Sequence, residues 1–573
     1  MCATEKTYHS RWKVFLFVFV CLLFVLSTAF CIYLLLREGK FTTSTLKAGE
    51  KIIGIEFTEE EREMMLDDVK SSRSDYEKIR GVDLSNETAL PLLFNPFVPG
   101  IEYEFREGQF KFSFPDVSEF EVPDNLEELA FYPVAFLSQL IKNRKITSIQ
   151  LTEMYLSRLK KYGPKLACVI TLTEELALEQ ARKADEEIAA GRYRGPLHGI
   201  PWGAKDLLAT KGIKTTWGAL PYKDQVIDKD ATVVKRLEEA GAVLVAKMTM
   251  GALAMGDVWF GGKTKNPWDL EQGSSGSSAG SAAATSAGLV GFAIGTETWG
   301  SILSPATRCG VSGLRPTFGR VSRYGAMALS WSMDKIGPIC RTVEDCALVF
   351  EAIRGPDNHD LSVVDLPFAW DPDLDIKKLR IGYLKKEFEG DYKRKQYDQA
   401  VLDKMRELGM ELIPLELPDL PVSSLSFILN AEAAAAFAEL TRSNQDDLLV
   451  SQTRGSWPNI FRQARFIPAV EYIQANRIRS LLMAAMAEKL KDIDVYIAPY
   501  GRGNNLLLTN LTGHPAVVVP NGFDDKGRPV SITFIGRLYR EAEVLAVAKA
   551  YQEATDFHQR HPQLDELQEV DNK

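Results

Sequence analysis

From residue 126 onward the apolar and polar positions follow two periods in turn. Segments 148–162 and 174–190 place apolar residues three and four apart, which predicts amphipathic helices. Between such segments lie short apolar runs at 167–171, 242–245, 289–294, 379–383, 495–498, 516–519 and 530–535. Their length and β-branched content predict buried strands. Helices interleaved with buried strands imply an α/β protein with a large buried sheet. No segment here reads as a linker. The Pro/Asp-rich loop at 369–375 has apolar runs on both sides, so 126–573 is expected to form one large domain.

The N-terminal 125 residues differ. Residues 14–36, VFLFVFVCLLFVLSTAFCIYLLL, are uncharged and apolar, with Arg11 and Lys13 before them and Arg37 after. About 20 such residues cross a bilayer as a helix. The reading is a tail and single-pass membrane anchor over 1–40, with a cleaved signal and secretion as the alternative. Basic residues flank both ends, so the side on which the main domain lies is not readable. Thr58-Glu59-Glu60-Glu61 matches a capping box and predicts a charged helix to about Arg80. Residues 86–125, rich in Pro, Phe and Asn, read as extended chain, so 41–125 forms a juxtamembrane helix and extended segment. Asn86-Glu87-Thr88 and Asn510-Leu511-Thr512 are glycosylation sequons if they meet a eukaryotic lumen.

Composition narrows the function. A net charge of -9 without a basic patch argues against nucleic-acid binding. The seven cysteines show no CxxC-type spacing, so neither a metal site nor a disulfide framework is expected.

The chemistry concentrates at 273–308, GSSGSSAGSAAATSAGLVGFAIGTETWGSILSPATR, which is unusually rich in small residues. Such runs are common in linkers, but this one passes directly into an apolar strand-like run. Its small residues therefore serve close backbone approach, to other backbone or to a substrate. Acyl transfer needs a nucleophile, a base and oxyanion donors. Gly276–Gly280 fits GxSxG, which would make Ser278 an elbow nucleophile, but the elbow requires a strand directly before it and 266–272, NPWDLEQ, cannot be a buried one. Gly262-Lys263-Thr264 suggests a phosphate loop, but Asp257 stands where its first glycine belongs.

GSSAGS at 276–281, GTETWGSILSPA at 295–306 and GVSGLRPTFGRVSR at 310–323 together resemble the amidase signature family. So do PLHGIPWGAKD at 196–206, DKIGPICR at 334–341 and NLTGHPAVVVP at 510–520. The likeness covers about 126–562, and several ordered motifs make it specific. It implies the amidase-signature fold, a large mixed twisted β-sheet covered by helices on both faces, preceded here by the transmembrane helix. It implies a Ser–cis-Ser–Lys triad whose members fall on Ser301, Ser277 and Lys205. It also implies an oxyanion hole of backbone N–H groups from Thr298, Trp299, Gly300 and Ser301, with 282–288 a small-residue helix behind the site. No cofactor and no metal are implied.

The residue types suit that chemistry. A lysine base must bring its pKa of about 10.4 down to near neutrality, which burial in an apolar setting supplies. Ser277 would relay a proton between Lys205 and Ser301, and Asp206 reads as structural. Trp299 departs from the family, which usually has Gly or Asp there. Its indole either lines the acyl pocket or faces away into the core. The expected activity is a serine amidohydrolase that cleaves the C–N bond of a small-molecule amide through an acyl-enzyme on Ser301. The alternatives are a glutamine-hydrolysing amidotransferase, of which this would be an A-type chain, and a catalytically inactive membrane-tethered protein. Leu303-Ser304, where glutamine-using chains of that type typically carry Arg, weighs against the first. A homodimer is compatible with the resemblance.

Overall fold

The computed structural model describes residues 5–37, 41–82, 85–86, 88, 92–101, 103, 105–106 and 108–566. It separates into two compact units, Met1–Ser85 and Asn86–Lys573.

In the first unit, helix Glu5–Arg37 is followed by Thr43–Ile53 and Glu59–Arg80. The last begins at the expected capping box, in which the Thr58 side chain accepts from Glu61 N and the Glu61 side chain from Thr58 N. Arg62 holds the helix pair together through two 2.7 Å bonds to the Glu50 carboxylate. The expected single-pass anchor gains no support here. Among the described residues no helix is long and apolar enough to cross a membrane.

The second unit is built on an eleven-stranded sheet. In chain order its strands are β1 Val169–Leu172, β2 Pro201–Lys205, β3 Val243–Met248, β4 Phe292–Glu297, β5 Ser312–Arg315 and β6 Lys335–Cys340. They continue with β7 Ile381–Leu384, β8 Leu412–Leu415, β9 Val495–Pro499, β10 Ala516–Phe523 and β11 Pro529–Gly536. The spatial order is β1-β3-β2-β4-β6-β5-β10-β11-β9-β7-β8. The sheet is mixed: β2 runs parallel to β3 and β4, while β6 pairs antiparallel with β4 and β5. All seven apolar runs coincide with strands, displaced by a few residues at most. Helices Ser148–Leu166 and Glu174–Ala189 match the two predicted ones.

Four strands carried no apolar-run signal. β2 contains Pro and Gly, and β6 has Pro338 paired opposite Ile294 in the sheet interior. A proline lacks the N–H that a central strand normally donates, so local propensity argues against both. Sheet pairing on either side overrides it. β5 and β8 are four residues each, too short for a period to show.

Residues 86–125 form no helix or strand among those described and lie on the core of their unit. Phe110, Phe112, Phe120 and Val122 pack against it, and Phe97 stacks on Tyr539 at 4.8 Å.

Candidate active site

The site forms where the C-terminal ends of parallel β2 and β4 lie side by side. β2 ends on Lys205 and β4 on Thr296 and Glu297. The helix Ala279–Ser286, buried throughout, packs behind them. Small residues allow this packing: a Cβ on Gly295 of β4 would stand 2.8 Å from the Oγ of Ser278, the residue that caps this helix.

Lys205 is fully buried. Its Nζ lies 2.8 Å from Ser277 Oγ, 3.0 Å from Ser278 Oγ and 2.8 Å from Thr296 Oγ1. Among the described residues no carboxylate pairs with it. Burial pushes its pKa down to about 7, against weaker opposing pulls from Asp334 and Glu297. Near pH 7 the amine is therefore partly neutral, with a lone pair able to take a hydroxyl proton. The Gly276–Ser277 peptide is cis.

Ser278, the elbow serine by sequence pattern, is fully buried and committed. Its Oγ donates to Thr296 O and accepts from Thr296 N, each at 3.1 Å. The residues before it form a short hairpin strand, Asp269–Gly273, outside the main sheet. The elbow geometry is absent.

Ser301 is 8% exposed and sits at the turn between β4 and helix Leu303–Cys309. Ser301 O accepts from Ser278 N at 3.1 Å, tying this turn to the paired serines. Gly300 adopts φ +88°, a left-handed conformation suited to glycine. Among the described residues, none accepts a hydrogen bond from the backbone N–H of Trp299, Gly300 or Ser301. Those donors can serve an oxyanion.

Residues with no role assigned from sequence brace this turn. Glu297 Oε2 accepts from Ile302 N at 2.9 Å and Leu303 N at 3.0 Å, just beyond Ser301. Its Oε1 takes Arg315 Nη1 and Asn510 Nδ2, both at 2.9 Å. Burial raises the Glu297 carboxyl, but Arg315 and these donors hold it below its usual range. Thr298 Oγ1 donates to Asp334 at 2.6 Å, and Asp334 also accepts from Leu329 N and Ser330 N. Glu297 and Asp334 both lie inside quoted motifs, but only the folded turn reveals what they hold. Glu297→Ala strands the buried Arg315, so it should cost about 3–5 kcal/mol of stability. Denaturant unfolding measures this.

Asn510 serves Glu297 and is fully buried, so its sequon is closed to a glycan. The Asn86 amide exchanges hydrogen bonds of 2.9 and 2.7 Å with the Ala328 backbone, which occupies that sequon in this conformation. Asp206 faces away from the serines, toward Thr216 N at 2.8 Å and Lys247 at 3.3 Å. Among the described residues no cluster could hold a metal ion.

A largely apolar cavity of about 250 Å³ adjoins the turn through Thr296 and Thr298, with Leu207, Met327, Leu329 and Ile336 in its walls beside Asp334, Lys335 and the Arg323–Asp360 ion pair. Trp299 does not line it. The indole is 45% exposed, so it faces solvent at the turn and is not a core residue.

Fold and site together define an α/β enzyme acting on amide bonds. Residues 150–545 match the amidase family model, and the chain belongs to the amidase signature family. It is 36% identical over 482 residues to the A-type chain of the glutamyl-tRNA(Gln) amidotransferase of Methylococcus capsulatus, an alignment covering 75% of this chain and 98% of that protein. The native peptide amidase of Stenotrophomonas maltophilia is 30% identical with a TM-score of 0.69, over 77% of this chain and 100% of that one. A bacterial aryl acylamidase shares the fold at 22% identity and a TM-score of 0.68, over 75% of this chain and 97% of that one.

Proposed function

We propose that this chain is a serine amidohydrolase in which Ser301 is the nucleophile, Ser277 the proton relay and Lys205 the base. The observation that carries this reading is the Lys205 amine, buried without a carboxylate partner among the described residues and 2.8 Å from Ser277 Oγ. Neutral Lys205 accepts the Ser277 proton as Ser277 takes that of Ser301. The Ser301 alkoxide adds to the amide carbonyl, and the N–H groups of Thr298, Trp299, Gly300 and Ser301 receive the oxyanion. The relay then runs backward, protonating the departing nitrogen, and water releases the acid by the same steps.

The apolar cavity beside Thr296 and Thr298 favours substrates with an apolar chain on one side of the amide. Membrane attachment through the N-terminal segment belongs to this reading too. It rests on the uncharged run at 14–36 and on side chains such as Phe15 and Phe24, 76% and 73% exposed. Retention of the chain in the membrane pellet after carbonate extraction tests it. Full release would refute it.

A second reading, a glutamine-hydrolysing amidotransferase chain, is favoured by the likeness to the A-type chains of glutamyl-tRNA(Gln) amidotransferases. Leu303-Ser304 after the nucleophile weighs against it. The two separate in one assay of the purified chain against octanamide and against glutamine. Hydrolysis of octanamide with no glutaminase activity is expected. Glutaminase activity alone would reverse the choice, and neither activity would favour the inactive form.

A further inference from the structure

A second cavity, of about 360 Å³, opens along the helix that follows the nucleophile turn. Its near end is Ser304, whose Oγ lies 2.7 Å from Ser275 Oγ, two residues before Ser277. Tyr500 also lines that end, with its Oη 3.7 Å from where a Cβ on Gly300 would stand. The cavity thus begins one helical turn from Ser301. Arg308 lies four residues further along, about 6 Å at 1.5 Å per residue.

Its walls carry an excess of basic side chains, whereas Arg323 and Lys335 in the first cavity are matched by Asp334 and Asp360. Arg308, Lys393 and Arg394 line the second cavity. Arg528 and Asp524, also in the lining, neutralise each other at 2.7 Å, which leaves Asp525 as the one opposing charge of that lining. Among the described residues Arg308 donates only to the neutral Gln272, at 3.3 Å, and Arg394 to Tyr500 O at 2.6 Å. Lys393 forms no ion pair among the described residues. Three cations facing one carboxylate in a concave site, two of them offering guanidinium forks, suit a carboxylate.

We propose that this cavity is a carboxylate subsite. On the amide-hydrolase reading above, it makes the preferred substrate an amide with an apolar chain on one side and an acidic chain on the other. The Ser304–Arg308 spacing sets that carboxylate several bonds from the scissile carbonyl. The reaction stays ordinary hydrolysis: the C–N bond breaks, the hydroxyl of water joins the acyl carbon and a proton goes to the nitrogen.

The test compares N-octanoyl-6-aminohexanoate and its isomer, the mono-octylamide of adipic acid, with the neutral N-octanoylhexylamine. At least one acidic amide should exceed the neutral one in kcat/KM by about tenfold or more. Arg308→Gln with Lys393→Gln, both exposed positions, should shrink that ratio towards one. A neutral preference, or an acidic preference untouched by the two substitutions, overturns the subsite. If no amide is hydrolysed, the hydrolase reading fails, and calorimetry judges the subsite alone. Ser301→Ala protein should then bind N-octanoyl-6-aminohexanoate more tightly than the neutral amide, by an amount the two substitutions abolish. Equal binding overturns the proposal.

Discussion

Ser301→Ala is expected to abolish amide hydrolysis, lowering kcat on the order of 10⁴-fold or more while leaving the fold intact. Removing a nucleophile that works with its base as one unit costs nearly the whole of catalysis above the contribution of binding and oxyanion donors. The hydroxyl is small and slightly exposed, and its loss leaves no buried charge or cavity of consequence. Unfolding should therefore stay within about 0.5 kcal/mol of wild type. Ser278→Ala behaves in the opposite way. Its hydroxyl bonds Thr296 and Lys205, so the damage is first to the geometry of the site. Denaturant unfolding of the two variants beside their steady-state rates on one neutral amide reads this directly: Ser301→Ala loses activity at wild-type stability, whereas Ser278→Ala loses stability as well. An active Ser301→Ala enzyme would remove the nucleophile assignment.

The second large effect lies at Lys205. Its pKa is lowered by burial to about 7, and catalysis needs the neutral amine. The value of kcat/KM should thus rise with pH through an apparent pKa near 7 and level off above it. Lys205→Ala should lower activity about 10²–10⁴-fold and erase that limb. Lys205→Arg keeps a cation that cannot give up its proton, so it should remain inactive across the range. The same shift marks stability with a definite sign. Between pH 7 and the ordinary lysine range the unfolded chain holds a proton that the folded chain does not, so this group's contribution makes stability rise with pH there. An acidic limb displaced by two or more pH units, or one retained in Lys205→Ala, would assign the base elsewhere.

Much of the fold was legible because its strands are continuous apolar runs, and buried strands need little else. The strands that escaped are instructive. β2 delivers Lys205 to the site, yet Pro201 and Gly203 hide it from any propensity argument. Only its neighbours in the sheet make PWGAK a strand. The proposed site residues were read from ordered motifs rather than from period or composition, whereas GSSAG alone points to Ser278, whose hydroxyl is committed to Thr296 and Lys205. The bracing residues were not legible. Glu297 joins the N–H groups of 302 and 303 to Arg315 and Asn510, the last of these more than two hundred positions away. Asn510 read as a glycan acceptor because a sequon carries no information on burial. Trp299 was balanced between a pocket wall and the core, and its exposure removes the core reading.

The central claim, that Ser301 is the nucleophile activated through Ser277 by Lys205, is tested most directly by locating a covalent adduct. The protein is treated with a fluorophosphonate probe at pH 8, digested, and the modified residue identified by mass spectrometry. A single adduct on Ser301, absent in Ser301→Ala and formed far more slowly in Lys205→Ala, is the predicted result. An adduct on Ser278 or Ser277 with Ser301 unmodified would contradict it, as would labelling at an undiminished rate in Lys205→Ala.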